Sequence, residues 1–542
     1  MQGLMQDAPL TIESIIRRGE RLFPTREVVT KTATGLERAS FADLAGEVRR
    51  QAAALDALGL SADARVGSFA WNTFRHLALY YSVPSSGRVL HTGNIRYFPD
   101  QLVYTVGHAE DEAIFLDRSL LGLLEPLLDR LETVKHLVVM DDGAPVPLPD
   151  DPRIVSYGEL LDGVTETDLD GRVTDEHQAA AICYTSGTTG HPKGVVYSHR
   201  SNWLQALANQ SGSSFGISDA DRILPVVPMF HANGWGLPYT SVMAGAAMVM
   251  PGPDLSPAGL LSLLESERVT VTAGVPTIWM GMTPLLAEHD LSSLRRVICG
   301  GSAVPMALSE AWREAIGIPI TQAWGMTEMS PLGSVCETRA EHAGLPEEEL
   351  AKVRATIGYM HVGVELRIVD PTTREEQPWD GVATGELEAR GPWIARQYFR
   401  TDEPGSSFSP DGWLRTGDVA SIDELGYITI VDRTKDLVKS GGEWISSVEL
   451  ENQIMGHPAV AEAAVIAVPH PKWGERPLAF VVLRDGAELD KEELLGYLGE
   501  RLGRWHVPDD IVFIAEVPKT SVGKFSKKTL REEYGDYRLP TA

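Results

Sequence analysis

The 542-residue sequence has few cysteines and no long apolar run. Its three cysteines, Cys183, Cys299 and Cys336, lack the spacing of a metal site and cannot all pair within one chain, so we interpret them as buried or partly buried free thiols. The longer apolar stretches, 242–250 and 463–468, fall far short of the roughly 20 residues that a membrane helix needs. Residues 1–10 show no secretory signal, so we predict a cytoplasmic protein without a membrane span.

Basic residues are also scarce relative to acidic ones. The chain has 48 lysines and arginines against 75 aspartates and glutamates, which gives a formal net charge of -27. The negative electrostatic field of this charge repels the phosphate backbone of a nucleic acid, and nucleic acid is therefore not an expected partner. A nucleotide substrate requires basic groups that gather locally.

The length exceeds one ordinary core and predicts a large domain followed by a smaller one. Residues 39–60 carry apolar side chains at helical spacing, which predicts a helix. Short apolar runs typical of strands follow at 113–116, 136–140, 179–184, 223–227, 246–250 and 296–299. Helix-like segments lie between several of these runs. This alternation predicts a layered α/β architecture over residues 1–434.

The pattern changes near residue 430. A strand predicted at 426–431 leads into a charged turn at 432–436. Two more strands, 460–468 and 478–483, flank a turn rich in proline and glycine at 470–477, and a helix is expected at 490–502 with Asp490 near its start. We therefore predict a small α+β domain over residues 435–542, with a boundary near Lys435.

The strongest local signal is the loop at residues 184–194, which reads Tyr-Thr-Ser-Gly-Thr-Thr-Gly-His-Pro-Lys-Gly. Its glycines let backbone N–H groups approach phosphate oxygens, its hydroxyls add donors and its lysine adds a positive charge. The spacing is not that of a Walker A loop, and a plain surface turn does not require this combination. The predicted polyphosphate-binding residues are Thr185, Ser186, Gly187, Thr188, Thr189, Gly190 and Lys193.

This loop resembles the signature of the adenylate-forming superfamily, which comprises acyl-CoA synthetases, adenylation domains of nonribosomal peptide synthetases and luciferases. The similarity extends over nearly the whole chain. Residues 90–96 and 99–101 resemble the branch that contains medium-chain fatty-acid and methylmercaptopropionate CoA ligases. The resemblance implies a large N-terminal domain of several subdomains and a small mobile C-terminal domain. It also implies a small-molecule carboxylic acid, ATP, Mg2+ and coenzyme A as ligands, with a homodimer as a family-level expectation.

Further motifs match the nucleotide site of that superfamily. Residues 300–304 follow a strand, and their small side chains correspond to the stretch that borders adenine. In residues 321–328, Trp324 is expected to stack on adenine, Thr327 to bond a phosphate oxygen and Glu328 to hold Mg2+. The alternatives are a core tryptophan and a solvated glutamate. The residues assigned to the nucleotide by these two motifs are Gly301, Ser302, Ala303, Trp324, Gly325, Met326, Thr327 and Glu328.

The resemblance also assigns a ribose contact and an acid pocket. Asp418 is expected to accept the ribose hydroxyls, and Arg433 to reach the ribose or a phosphate. His231 is expected beside the reacting carboxylate, although a core histidine is the alternative. An apolar acid pocket is predicted from Trp235, Val275, Pro276 and Trp279. These residues do not distinguish a medium-chain fatty acid from a short thioether acid, an aryl acid or a bulky polycyclic acid.

The implied reaction has two steps. A carboxylate attacks the α-phosphate of ATP and releases pyrophosphate, with Lys524, Glu328 and its Mg2+, and the phosphate loop stabilising the developing charge. The C-terminal domain then turns about the hinge Lys435 and presents residues 439–445, in which Lys439, Gly441 and Gly442 would border the pantetheine arm during thiol attack. The predicted catalytic residues are Thr188, His231, Glu328 and Lys524.

The sequence therefore predicts an AMP-forming acyl-CoA synthetase, an acid–thiol ligase. Delivery of the acyl group to a carrier protein or a partner enzyme stays open as an alternative. A noncatalytic nucleotide-binding scaffold is disfavoured because Thr188, Glu328, Asp418 and Lys524 are all present. Lys524 alone would read as a solvated lysine, and Gly441 with Gly442 as an ordinary turn.

Overall fold

The structure, a computed structural model, describes residues 1, 3–185, 191–401, 407–441, 443–519 and 525–542. The described part of the chain forms four β-sheets flanked by helices. None of the helices in these ranges is long and apolar enough to cross a lipid bilayer. All three cysteines are buried free thiols, as the sequence predicts.

Residues 65–198 contribute all the strands of a seven-stranded sheet. In spatial order its strands are Ile154–Ser156, His136–Met140, Asp111–Asp117, Arg65–Phe69, Val89–Thr92, Ala179–Tyr184 and Gly194–Ser198. All pairs are parallel except the last, in which Gly194–Ser198 returns antiparallel to Ala179–Tyr184. Near-continuous apolar runs form these strands because helices cover both faces of a parallel sheet.

A nine-stranded sheet is formed mainly by residues 222–360, with Glu27–Thr32 and Gly35–Ser40 added at one edge. In spatial order its strands are Tyr359–Met360, Leu332–Val335, Ile320–Gly325, Arg296–Gly300, Val271–Gly274, Arg222–Pro225, Ala247–Met250, Glu27–Thr32 and Gly35–Ser40. The six strands from Ile320–Gly325 to Glu27–Thr32 are parallel. Their carboxyl ends therefore share one edge, which is where ligands bind in open α/β sheets.

The helices pack against these two sheets and against the C-terminal one. They span Ile12–Leu22, Phe41–Ala57, Phe74–Ser85, Pro99–Ala109, Leu121–Leu124, Tyr157–Asp162, His199–Ala208, Leu237–Ala244, Pro257–Ser266, Pro276–Met282, Met306–Ile316, Glu347–Arg354, Ser447–Met455, Lys491–Gly499 and Lys527–Tyr534. The helix predicted at 39–60 is confirmed as Phe41–Ala57, and it begins after Ser40 because Ser40 and Asp43 form a reciprocal capping box.

A small antiparallel sheet follows the nine-stranded one in the chain. Its strands are Glu365–Val369, Thr384–Arg390, Leu414–Ile422 and Ile428–Arg433, in that spatial order. The strand predicted at 426–431 is thus displaced by two residues. Asp432 and Arg433, which the sequence places in a turn, end the strand instead and pair with Val419 and Asp418.

The C-terminal residues form a five-stranded sheet with three helices. Its strands are Glu443–Ile445, Val438–Ser440, Gly474–Leu483 and Val460–His470, with Asp510–Phe513 parallel to Gly474–Leu483. The turn predicted at 470–477 is present but shorter, because the two long strands leave only residues 471–473 between them. Pro469 is accommodated because Val460–His470 is an edge strand, where a missing N–H interrupts no second ladder. The predicted helix is confirmed as Lys491–Gly499, and Asp490 caps it.

The chain passes from the antiparallel sheet to the C-terminal sheet between Arg433 and Val438. Polar contacts cross this junction: the Ser447 N–H donates to Asp432 at 2.6 Å, and the Ser446 hydroxyl donates to the Val431 carbonyl. The change of sheet coincides with the predicted hinge at Lys435. That Lys435 divides two domains and acts as their pivot stays a prediction.

Candidate functional site

A cavity of about 360 Å³ opens at the carboxyl ends of strands from both large sheets. The phosphate loop borders it from the seven-stranded sheet, and strands Arg296–Gly300 and Ile320–Gly325 from the nine-stranded sheet. Of the residues predicted from the sequence, those lining this cavity are Thr185, Lys193, His231, Trp235, Gly301, Trp324, Gly325, Met326, Thr327, Glu328, Arg433 and Lys435. Predicted residues as far apart in the chain as Thr185 and Lys435 therefore line one cavity.

Asp418 is held beside the cavity by two donors, Trp324 and Arg433, that line it. The Trp324 indole N–H donates to one carboxylate oxygen at 2.9 Å, and the Arg433 guanidinium lies 3.1 Å from the other. Asp418 and Arg433 face each other across adjacent antiparallel strands, which sets this pairing. Asp418 is buried, and a buried carboxylate is stable only with such partners. Trp324, predicted at adenine, and Asp418 and Arg433, predicted at the ribose, therefore form one connected polar group.

Gly333 supports the Trp324 indole from the neighbouring strand. A Cβ at Gly333 would lie 2.6 Å from Trp324 Cζ3 and 2.9 Å from Met329 Sδ. Only a residue without a side chain leaves room for the indole in its present position. Sequence reasoning missed Gly333 because the requirement arises from a cross-strand neighbour.

Glu328 is a buried carboxylate, 5% exposed, in the short turn after strand Ile320–Gly325. The Tyr398 hydroxyl donates to Glu328 Oε1 at 2.6 Å. Burial raises the pKa of Glu328, while the Tyr398 hydroxyl and the positive charges of Arg433 and Lys193 oppose that rise. A carboxylate in this setting suits an added cation, because a cation favours the ionised form.

Two hydrogen bonds hold Thr185 at the start of the phosphate loop. The Thr185 N–H donates to the Lys193 carbonyl at 2.9 Å, and the Tyr97 hydroxyl donates to the Thr185 carbonyl at 2.9 Å. Ser186, Gly187, Thr188, Thr189 and Gly190 lie outside the described residues, and their predicted roles stay predictions.

His231 precedes an unusual turn in the cavity wall, and Trp235 is part of that turn. Residues 232–236 all have left-handed backbone, with φ of 38° at Ala232, 46° at Asn233 and 57° at Trp235. Such backbone costs roughly 1–2 kcal/mol for each residue that carries a side chain. The Trp235 carbonyl accepts from the Gln205 and Asn209 amides at 3.4 and 3.5 Å, which helps to hold the turn. Asn233, Gly234 and Gly236 are residue types that tolerate left-handed backbone, whereas nothing in the sequence indicates that Ala232 and Trp235 adopt it.

The Trp235 indole lies against the backbone of the nine-stranded sheet. A Cβ at Gly300 would come 3.0 Å from Trp235 Cη2 and 2.7 Å from the Ala323 carbonyl oxygen. Small residues after strand Arg296–Gly300 were expected to receive a flat ring from the ligand. At Gly300 the ring that lies against the backbone is the Trp235 indole.

Several predicted residues do not line the cavity. Trp279 is fully buried in a core cluster and packs edge-to-face on Trp312 at 5.6 Å, so it does not line this cavity, and its role in the acid pocket stays a prediction. Val275 and Pro276 begin the same helix, Pro276–Met282, and do not line the cavity either. An apolar residue near the site can serve either the core or the pocket, and composition alone does not separate the two.

Ser302 and Ala303 are exposed and lie just beyond the lining residue Gly301. Asp418 is not a lining residue itself, although both of its partners are.

Lys439 and Gly441 do not line the cavity, whereas the predicted hinge residue Lys435 does. The Lys439 N–H donates to Glu475 at 2.8 Å, and its ammonium lies 5.7 Å from the Trp444 ring centroid. Gly441 has a φ of 58°, and a Cβ there would come 3.0 Å from Trp505 and 3.1 Å from Trp473. Glycine is therefore required at 441. Gly442 and Lys524 lie outside the described residues.

Tyrosine hydroxyls near the site were missed by sequence reasoning. Tyr398 bonds Glu328, Tyr97 bonds the start of the phosphate loop, and the Tyr197 hydroxyl donates to the Thr327 carbonyl at 2.6 Å. Each acts on a residue distant in the chain. Tyr97 adjoins residues 90–96, which the sequence had marked, and this was the only available signal.

Comparison with known proteins agrees with this geometry. A family described as "AMP-binding enzyme" matches residues 17–399, and one described as "AMP-binding enzyme C-terminal domain" matches residues 449–524. The chain is 44% identical to a 3-methylmercaptopropionyl-CoA ligase of Ruegeria lacuscaerulensis, covering 99% of each chain. It is 41% identical to a medium-chain-fatty-acid–CoA ligase of Ectopseudomonas oleovorans, covering 99% of this chain and 98% of the relative.

Among solved structures, ATP-bound MatB from Rhodopseudomonas palustris superposes with a TM-score of 0.83 at 27% identity, covering 97% of this chain and 99% of that one. The predicted resemblance, the mixed α/β fold and the order of a large and a small domain are thereby confirmed.

Proposed function

We propose, from the premise that this chain belongs to the AMP-binding enzyme family, that it activates a monocarboxylic acid with an apolar tail of short to medium length. The general reaction is that of an acyl-CoA ligase: an acid and ATP give an acyl-adenylate and pyrophosphate, and coenzyme A then takes the acyl group. The carrier-protein alternative is not favoured, because the full-length relatives are CoA ligases.

The observation that carries the proposal is the convergence of dissimilar groups on one cavity. The Asp418, Trp324 and Arg433 group suits a ribose and its base, since a carboxylate accepts hydroxyl donors and an indole face stacks on a planar ring. Lys193 and Glu328 border the same space. This order of groups fits a nucleotide whose phosphates lie toward Lys193.

An apolar wall supports an acid with an uncharged tail. Five apolar residues line the cavity: Phe215, Ala232, Trp235 and Leu332, which belong to one buried core cluster, and Ala323, which packs against that cluster. The lysines and arginine that line the cavity lie elsewhere. Lys193 belongs to the phosphate-loop hairpin, and Arg433 and Lys435 belong to residues 433–435. A second carboxylate on the acid would therefore be buried against hydrocarbon, which is costly without a cation.

The residues near Glu328 fit Mg2+. Mg2+ prefers carboxylate oxygens and is commonly held by one or two of them together with substrate phosphates, and Glu328 supplies such a carboxylate. When bound, Mg2+ would neutralise charge on the phosphates. Lys193 would bind the phosphates directly, and the apolar wall would hold the acid so that its carboxylate faces the α-phosphate.

The remaining chemistry stays with the sequence predictions. We propose that Lys524 approaches during adenylation and that a turn about Lys435 brings Lys439, Gly441 and Gly442 to the site for thioester formation. Loss of one preorganised donor would slow adenylation about 10²-fold. The homodimer and the cytoplasmic location predicted from the sequence also remain proposals.

The test is acid-dependent pyrophosphate release by the purified protein, followed by mass spectrometry after addition of coenzyme A. The panel contains propionate, 3-methylthiopropionate, hexanoate, octanoate, benzoate and malonate. We expect release with the aliphatic monocarboxylates and the matching acyl-CoA products. Preference for malonate would contradict the apolar-wall argument, and no release with any acid would contradict the proposed function.

A matched pair of variants ties the activity to this cavity. Glu328→Gln should lower pyrophosphate release by about 10²-fold if the carboxylate holds the metal. Glu424→Gln, in an exposed turn of the antiparallel sheet, should leave it unchanged. Equal rates for the two variants would place the reaction elsewhere.

A further inference from the structure

Tyr398 contacts both groups expected to meet the phosphates. Its hydroxyl donates to Glu328 Oε1 at 2.6 Å. The ammonium of Lys193 lies 4.6 Å from the centroid of its ring. The side chain is 7% exposed and lines the cavity. One residue thus joins the carboxylate expected to bind Mg2+ to the lysine expected to bind phosphate.

The backbone around Tyr398 spans the same two parts of the site. We name residues 395–399 the brace. At one end the Ala395 N–H donates to the Glu328 carbonyl at 2.7 Å, and at the other the Phe399 N–H donates to the Gly194 carbonyl at 2.8 Å. Gly194 follows Lys193 and begins the second strand of the phosphate-loop hairpin. The brace therefore fixes the distance between the hairpin and the Glu328 turn.

The Tyr398 ring is itself held. Phe408 packs edge-to-face on it at 5.7 Å, and the Thr401 hydroxyl donates to the Tyr398 carbonyl at 2.9 Å. A ring fixed at its backbone and on its edge presents its hydroxyl in one direction. This is what an orienting partner of a metal-binding carboxylate requires.

We propose that Tyr398 is a positioning residue for adenylation: its hydroxyl orients Glu328 toward Mg2+, and its ring holds Lys193 toward the phosphates. The inference rests on the proposed function. A single carboxylate can rotate about its terminal bond, and a hydrogen bond to one oxygen removes that freedom. The ammonium gains from the negative face of the ring without being neutralised, so it keeps its charge for phosphate.

The first test measures Mg2+ coupling rather than turnover. ATP binding is measured by isothermal titration calorimetry without acid, once with saturating Mg2+ and once with EDTA. The ratio of the two affinities reports how far Mg2+ strengthens ATP binding. Tyr398→Phe should lower this ratio about tenfold, because loss of an orienting partner typically weakens metal affinity 10–100-fold. The affinity in EDTA should stay within about twofold, since the ring that contacts Lys193 remains.

The control is Tyr427→Phe. Tyr427 is also a buried tyrosine, and its hydroxyl donates to the Glu337 carbonyl at 2.6 Å in another part of the molecule. It should leave the ratio unchanged. If Tyr398 were only a packing residue, Tyr398→Phe would change the two affinities equally or not at all, and either result overturns the proposal.

A double variant tests whether the hydroxyl acts through Glu328. Glu328→Gln removes the charged acceptor. In that background Tyr398→Phe should change the Mg2+ coupling by less than about twofold, because coupled residues are not additive. A full tenfold loss in both backgrounds would show that the hydroxyl does not act through Glu328.

Thermal unfolding checks that each variant is folded. Should Tyr398→Phe unfold, Phe408→Leu takes its place, since it loosens the ring without removing the hydroxyl and should lower the Mg2+ coupling in the same direction. An unchanged coupling in folded Phe408→Leu would then overturn the proposal. If the wild type releases no pyrophosphate with any acid, the proposed function fails. If it does and Tyr398→Phe keeps normal Mg2+ coupling, only this inference fails.

Discussion

Replacement of Gly333 by alanine should weaken ATP binding although residue 333 would not touch the nucleotide. The added Cβ would lie 2.6 Å from Trp324 Cζ3 and 2.8 Å from Cε3. Carbon atoms pack at about 3.5–4.0 Å, so the indole must move by roughly 1 Å. The backbone of Gly333 has no left-handed φ, so the substitution introduces no backbone strain. The other close contact of the added Cβ is with Met329 Sδ, at 2.9 Å.

The displacement has a calculable consequence at Asp418. The Trp324 N–H lies 2.9 Å from the carboxylate oxygen, and a shift of that size breaks the bond. A hydrogen bond to a charged group contributes about 1.5–3 kcal/mol, which corresponds to roughly 10–100-fold. We expect the KM for ATP in pyrophosphate release to rise by about tenfold or more, with a smaller change in kcat.

The control is Gly107→Ala, because a Cβ there meets nothing within 4 Å and the residue lies in helix Pro99–Ala109. In a Trp324→Phe background, Gly333→Ala should cost less, since the smaller ring leaves space for the methyl group. A folded Gly333→Ala protein with wild-type KM for ATP would refute the reasoning. So would an equal cost in both backgrounds.

Three further results are expected. Lys524→Ala should lower acid-dependent pyrophosphate release by about 10²-fold and leave thioester formation from supplied acyl-adenylate unchanged. If the two half-reactions, measured separately, lose equal activity, Lys524 does not act in adenylation alone. Asp418→Asn should reduce the preference for ATP over 2′-deoxy-ATP, read as the ratio of kcat/KM values, and an unchanged ratio would remove Asp418 from the ribose site. Burial lowers the pKa of His76 to about 4 from 6.5, so its contribution to stability is fully present above pH 6.5 and is lost as pH falls toward 4, about 3 kcal/mol in all. His76→Gln should flatten the dependence of the unfolding midpoint on pH over that window, and parallel curves would contradict this assignment.

Much of the fold follows from apolar runs in the sequence. His136–Met140 and Ala179–Tyr184 form the strands predicted, because a buried parallel strand needs apolar side chains on both faces. The turn at 470–477 was predicted too long for a physical reason. Proline and glycine are typical of turns, yet Gly474 and Pro477 lie at the start of strand Gly474–Leu483, where Pro477 pairs with Ala467. Only the pairing of the two strands shows that the strand begins this early.

The site could be predicted in part. Trp324, Glu328 and Arg433 lie on motifs whose local order indicates nucleotide chemistry, and the structure brings them to one cavity. Trp279 and Tyr398 show the limit. An apolar run does not tell whether a tryptophan faces the core or a ligand, and a tyrosine hydroxyl that reaches 70 residues back along the chain leaves no local pattern.

The left-handed turn at residues 232–236 has a consequence for engineering. Because that part of the cavity wall is shaped by main chain, a library aimed at Ala232 or Asn233 would first change how readily the segment relaxes into ordinary backbone. Glycine there would ease the conformation and would also make this part of the cavity wall more flexible. If the cavity holds the acid as we propose, efforts to shift acid preference would therefore gain more from Phe215 and Leu332, which line the same space and do not have left-handed backbone.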